Sequence, residues 1–147
     1  MKERCDLAKP YCDAVVQSTA SIPGTLNEVM SLSDGGAGFE KTVDCSGNSV
    51  GRSIGLRATH QWGKMALIGE GGSMDMLPSD EIIHQQKTLI GSWVSPVWRM
   101  EELVKRMVRW DLHPEKMVTH KFKLDEAAEA FRVMAEGKCG KVAVVFD

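Results

Sequence analysis

Residues 41–53 read KTVDCSGNSVGRS: a short apolar run, a turn built around Gly47, and then a helix start. A strand that passes through a glycine turn into a helix is a common way to hold a phosphate on helix N–H groups. The stretch therefore poses a choice. It is either the phosphate loop of a nucleotide-binding fold or a later strand of such a fold whose phosphate loop lies elsewhere.

Working outward, short apolar runs alternate with helical patterns. Residues 13–18 (DAVVQS) read as a brief strand. Thr25 and Glu28 have capping-box spacing, and Leu26, Val29 and Met30 give that helix an apolar face. Residues 33–38 (SDGGAG) form a loop, residues 41–45 a second strand, and Ser49 caps a helix carrying Val50, Ile54 and Ala58. Residues 64–69 (KMALIG) form a buried strand, broken by Gly71 and Gly72; a short helix starts at Ser79-Asp80-Glu81, and residues 87–93 (KTLIGSW) are a fourth strand. Met100, Leu103, Val104, Met107 and Val108 make one helical stripe, read as core or interface packing. Residues 118–124 are extended. From Asp125 a helix runs to Gly137 with Leu124, Ala128, Phe131 and Met134 at inward spacing, and residues 141–146 (KVAVVF) are a last strand. Strands alternating with helices predict a parallel sheet covered on both faces.

Composition narrows the class. The chain has 147 residues, 43% apolar and 26% charged, enough for a core. A net charge of −2 gives no basic surface for nucleic acid. No apolar run approaches the ~20 residues that span a bilayer. The charged amino terminus MKERCDLAKPYC is unlike a signal peptide, which predicts a cytoplasmic protein with Cys5, Cys12, Cys45 and Cys139 as reduced thiols. There is no CxxC, and the histidines are scattered, so the sequence offers no zinc-ligand set.

Five motifs in order, VDCSGN, LRAT…WGKMALIGEGG, KTLIGSW, THKFKLDEAAEAF and GKVAVVF, resemble the zinc-dependent medium-chain alcohol and polyol dehydrogenases, with threonine-, sorbitol- and glucose-type enzymes as the nearest relatives. The resemblance runs from about Glu3 to Asp147. It implies an α/β chain: a partial Rossmann-type parallel sheet (strands 3–6 of the dinucleotide-binding domain) flanked by helices, plus a carboxy-terminal helix and strand that return toward an absent catalytic domain. Residues 1–112 would be the Rossmann part and 113–147 the return segment. The chain would be the carboxy-terminal half of such an enzyme. One departure is Tyr11-Cys12, where the family has a Gly-Ala pair.

The family resolves the opening choice. Its phosphate loop, G-x-G-x-x-G, follows the first strand, with an acidic residue for the ribose about twenty residues on. Neither occurs here, since Gly47 and Gly51 make only G-x-x-x-G. By resemblance residues 43–48 (VDCSGN) hold the fourth strand, a cofactor wall. The resemblance also implies a binding set for NAD or NADP. Cys45, Ser46 and Gly47 would line the adenosine side. Ile68, Gly69 and Glu70 would pass under the nicotinamide ribose, one carbonyl accepting from the carboxamide. Ser92, Trp93 and Val94 would complete that carboxamide clamp, and Lys141 would stand near the pyrophosphate.

On the residues alone, each has a plainer role. Gly69, Gly71 and Gly72 serve a tight turn with or without a cofactor. Cys45 is a small buried filler, His113 and His120 are surface residues, Lys141 is a solvated lysine before an edge strand, and Asp44 and Glu70 are no catalytic pair. The zinc that activates the alcohol in the family takes its ligands from an amino-terminal domain without a counterpart here. Two functions follow. One is an inactive part of a zinc alcohol or polyol dehydrogenase acting on a small-molecule alcohol. The other is a non-catalytic oligomerisation or binding module derived from one. The family's sheet-edge pairing implies a homodimer through residues 87–98. With strands 1 and 2 missing, either DAVVQS moves beside residues 41–45 or a second self-association covers that edge.

Overall fold

The computed structural model describes residues 2–19 and 21–146. In chain order the elements are helix α1 (Lys2–Ala8), helix α2 (Ile22–Ser31), strand β1 (Phe39–Asp44), helix α3 (Ser49–Ala58), strand β2 (Thr59–Leu67), strand β3 (Thr88–Gly91), helix α4 (Trp98–Arg109), strand β4 (Val118–Phe122), helix α5 (Ala127–Glu136) and strand β5 (Lys141–Val144). A π-helical turn, Pro78–Ile83, precedes β3. The chain divides into two units, one formed by Val16–Val94 and the other by the residues on either side of it.

In the first unit β1, β2 and β3 make a parallel sheet in that order. Asp44, Leu67 and Gly91 are register partners, so the three strands end level. Helix α3 packs on β1 and β2, and α2 packs on α3. Leu56 and Met65 are fully buried between helix and sheet, and Thr59 Oγ1 ties them further, donating to Gly55 O and meeting Thr42 Oγ1, each at 2.7 Å. The sheet is covered on one face and open on the other: Val43 and Ile90, register partners of Ala66, stand 59% and 45% exposed. The expected cover on both faces is thus not present in this unit.

Several local expectations shift for identifiable reasons. Residues 14–19 form no strand. A parallel strand gains its bonds from neighbours, and β1 pairs only with β2 among the described residues, so DAVVQS has not moved in beside it. Helix α2 begins at Ser21, whose Oγ accepts from Gly24 N, with Pro23 in the first turn. Thr25 lies buried inside the helix, its hydroxyl accepting from Thr19 N, so the Thr25–Glu28 capping box does not form. Asn48 caps α3 in place of Ser49, its Oδ1 accepting from Val50 N and Gly51 N. The side chain of Asn48 reaches two free donors of the first turn, Val50 N and Gly51 N, which leaves Ser49 as a helical residue.

In the second unit β4 and β5 pair in parallel and α5 packs against both. Gly137 ends α5 in the left-handed conformation (φ 68°), as its position past the last turn requires. The buried stripe is rotated from the expected one. Ala130 is buried with Ala127 and Val133 half-buried beside it, while Leu124, Phe131 and Met134 are exposed. Small side chains let the helix lie close on a two-stranded sheet, and the larger ones are left outside. The stripe on α4 is exposed too, with Met100, Leu103, Val104 and Val108 all more than half open to solvent, so it is not core packing.

Between Phe39↔Thr59 and Lys41↔Lys64 the β1–β2 register shifts, and Trp62 within the bulge has φ 67°. A large L side chain is disfavoured there, and Trp62 is 64% exposed, so it recovers little packing. Trp62→Gly is expected to raise stability by about 0.5–1 kcal/mol, the left-handed strain less the extra chain entropy of glycine. An unchanged or lowered urea midpoint contradicts this.

Candidate functional site

Because the strands end level, the turns that follow them sit side by side. Asp44 O accepts from Ile68 N and Gly69 N, both at 2.9 Å, and Leu67 O accepts from Ser92 N at 3.0 Å. The segments 45–47, 68–70 and the start of 92–94 therefore share the carboxyl edge of one sheet. Ligands of open α/β sheets bind at such an edge.

The first two turns touch backbone to backbone. A Cβ on Gly47 would stand 1.9 Å from Glu70 O, one on Gly69 2.1 Å from Gly47 N, and one on Gly72 2.2 Å from Gly47 O. Gly47 also has φ 62°. Glycine is required here by the approach of the two turns to each other. Gly71 differs: it has φ 86° but open space around its Cβ direction.

A buried ion pair holds this contact. The Asp44 side chain is 3% exposed and that of Arg52 13%. Asp44 Oδ1 accepts from Ser46 N (3.0 Å) and Ser46 Oγ (2.6 Å); Oδ2 accepts from Gly47 N (3.2 Å) and Arg52 Nε (3.1 Å). Arg52 Nη2 donates to Gly69 O at 2.5 Å and Nη1 to Gly72 O at 3.2 Å. Burial pushes the Asp44 carboxyl up, but the hydrogen bonds from Ser46, Arg52 and Gly47 outweigh it and hold the group below the ordinary carboxylate range. A second pair, Arg57 Nε to Glu81 Oε1 at 2.6 Å, ties α3 to the π-helical turn. Burial raises the Glu81 carboxyl, and Arg57 and Leu77 N outweigh that as well.

The other candidate residues fall as follows. Cys45 is exposed; Asp44 takes the inward position at the strand end, which turns Cys45 outward, so it is not the buried filler expected. Trp93 and Val94 are exposed, and Val94 has φ 35°, strained for a β-branched residue. Lys141 opens β5 in the second unit and is exposed. His113 bonds Asp111 and Glu115 at a surface turn, and His120 is exposed on β4. Arg52 carries no signal in the sequence for its role at these turns. Its acceptors are backbone carbonyls 17 and 20 residues away, and no local spacing signals such a contact. A cavity of about 340 Å³ lies at the opposite end of the sheet, around His60, Trp62 and Lys64.

The zinc implied by the resemblance does not fit: among the described residues no three His, Cys, Asp or Glu side chains converge. The three turns lie side by side at one sheet edge, but the amides of Ser46, Gly47, Ile68, Gly69 and Ser92 are all engaged within the protein. Of residues 68–70, the Gly69 carbonyl is already engaged by Arg52.

No family model matches the chain. An uncharacterized zinc-type alcohol dehydrogenase-like protein of Escherichia coli K12, YphC, is 39% identical over 127 residues, which is 86% of this chain and 35% of that protein. Alcohol dehydrogenase-like 7 of Arabidopsis thaliana is 31% identical over 131 residues, 84% of this chain and 33% of that protein. Among solved structures, an NAD-dependent alcohol dehydrogenase superposes with a TM-score of 0.76 at 27% identity, over 99% of this chain and 42% of that one. The chain spans about a third of the length of these curated relatives, less than the half implied by sequence. Collinear motifs, parallel α/β architecture and these similarities agree: the chain belongs to the zinc-type medium-chain alcohol dehydrogenase family and corresponds to a carboxy-terminal part of its members.

Proposed function

We propose that the chain is the cofactor-edge portion of an NAD(P)-dependent zinc alcohol or polyol dehydrogenase and oxidises no alcohol by itself. The observation that carries this reading is the row of turns after β1, β2 and β3, brought level by strand register. A nicotinamide bound in an intact enzyme of this kind would supply the hydride acceptor for the alcohol carbon. The residues here bind and orient. Ile68–Glu70 and Ser92–Val94 lie toward the carboxamide and Cys45–Gly47 toward the adenosine; the pyrophosphate role of Lys141, which lies in the other unit, rests on the family resemblance alone. Residues 1–112 are then the cofactor part and 113–147 the return segment; the pairing of β4 with β5 favours this division, whereas the compact units depart from it by grouping residues 95–112 with the return segment. A cytoplasmic setting is part of this reading; among the described residues no helix is long and apolar enough to cross a membrane.

The sequence has no G-x-G-x-x-G, and so no such glycine loop leads into a helix among the described residues to cradle the pyrophosphate. Calorimetric titration is expected to give weak NAD and NADP binding, about millimolar and no tighter, near −4 kcal/mol, with no alcohol-dependent reduction of either. Micromolar binding or turnover overturns the reading.

The alternative, an oligomerisation module, is favoured by a run of exposed apolar residues: Ile90, Trp93, Val94, Val97 and Trp98. The outer edge of β3 also has no partner strand among the described residues. We propose a homodimer through residues 87–98 in either case. Light scattering at high micromolar concentration is expected to give a dimer mass, and Ile90→Lys to give a monomer. A monomer for the unsubstituted chain contradicts the proposal.

A further inference from the structure

We infer that Arg52 is a positioning residue that locks the turn after β1 to the turn after β2, so that the two meet a nucleotide as one preformed edge. The inference rests on the cofactor reading above. Arg52 lies in the second turn of α3, and its planar fork spends Nε on Asp44 and one terminal nitrogen on each of Gly69 O and Gly72 O. Asp44 in turn takes Ser46 N and Gly47 N. A continuous path thus runs from one turn, through carboxylate and guanidinium, to the other.

The spacing it sets is unforgiving. Gly47 meets Glu70 and Gly72 through backbone atoms at its nearest approaches, and Asp44 O holds Ile68 N and Gly69 N; beyond Gly69 the Arg52 bonds to Gly69 O and Gly72 O carry the spacing on. A small outward shift opens the contact, and an inward one makes the backbones collide. Lysine cannot replace the fork. Its ammonium is a point charge on a single stem, which can pair with Asp44 or reach a carbonyl but cannot hold Asp44 and two carbonyls in one plane.

The test compares the chain with Arg52→Met, which keeps an apolar stem of similar reach, and with Arg52→Lys. Amide hydrogen exchange and NAD titration are both followed by NMR. Arg52→Met is expected to speed exchange at Gly47 and residues 69–72 about tenfold while Met65 in β2 is unchanged, the pattern of a local opening. NAD affinity is expected to fall about fivefold to tenfold, and Arg52→Lys to lie between. A residue that merely supports the fold would speed Met65 along with the turns. That result overturns the inference, as does equal NAD affinity in all three proteins. If the unsubstituted chain shows no NAD-dependent shifts at residues 45–47 and 68–70, the cofactor reading fails and takes this role with it. Equal binding in chain and variant removes the role of Arg52 alone.

Discussion

Asp44→Ala is expected to lower stability by about 3–5 kcal/mol, because removing one partner strands a buried charge. Four groups lose their acceptor at once: Ser46 N, Ser46 Oγ, Gly47 N and Arg52 Nε. The guanidinium stays fixed under the turn by its bonds to Gly69 O and Gly72 O. Exposed pairs such as Lys105–Glu101 on α4 should cost under about 1 kcal/mol when broken. The pH dependence follows from the depressed Asp44 pKa. Its contribution is complete above the unfolded carboxylate value of about 3.9 and is lost as pH falls through the lower folded value. Urea unfolding at pH 7 should show the full difference between wild type and variant, and the difference should shrink below about pH 4. A gap that does not narrow in acid would mean that Asp44 acts through packing and not through its charge.

Gly47→Ala should cost about 3 kcal/mol. Part is the left-handed backbone, about 1–2 kcal/mol for an L residue. The rest is a collision with Glu70 O, which is backbone and cannot rotate aside. Gly71→Ala separates the two terms, since it has a positive φ and open space around it, and should cost only about 1 kcal/mol. Equal costs at both positions would show that the contact between the turns is looser than the distances indicate.

The sequence disclosed what depends on local pattern. The apolar runs at residues 41–45 and 64–69, the glycine at 137 and the order of strands and helices all lie within a few neighbours, and β1, β2 and α5 formed there. It misled where the outcome depends on partners. DAVVQS has strand composition, but a parallel strand needs a neighbour, and residues 14–19 stay irregular. The stripe through Phe131 and Met134 has helical spacing, yet the sheet beneath α5 accepts Ala127, Ala130 and Val133. At the caps, Ser21 and Asn48 displaced Thr25 and Ser49 by a few residues, a choice made by which side chain reaches a free N–H. The candidate turns came into view through family motifs. The Arg52 clamp did not, because a side chain bonding distant carbonyls leaves no periodic trace.

The measurement that tests the cofactor-edge account most directly is an amide-resolved NMR titration of the isotope-labelled chain with NAD. The account predicts saturable shifts confined to residues 45–47, 68–70 and 92–94, with an affinity in the millimolar range. Shifts that leave these turns untouched, or a micromolar affinity centred elsewhere, would contradict it.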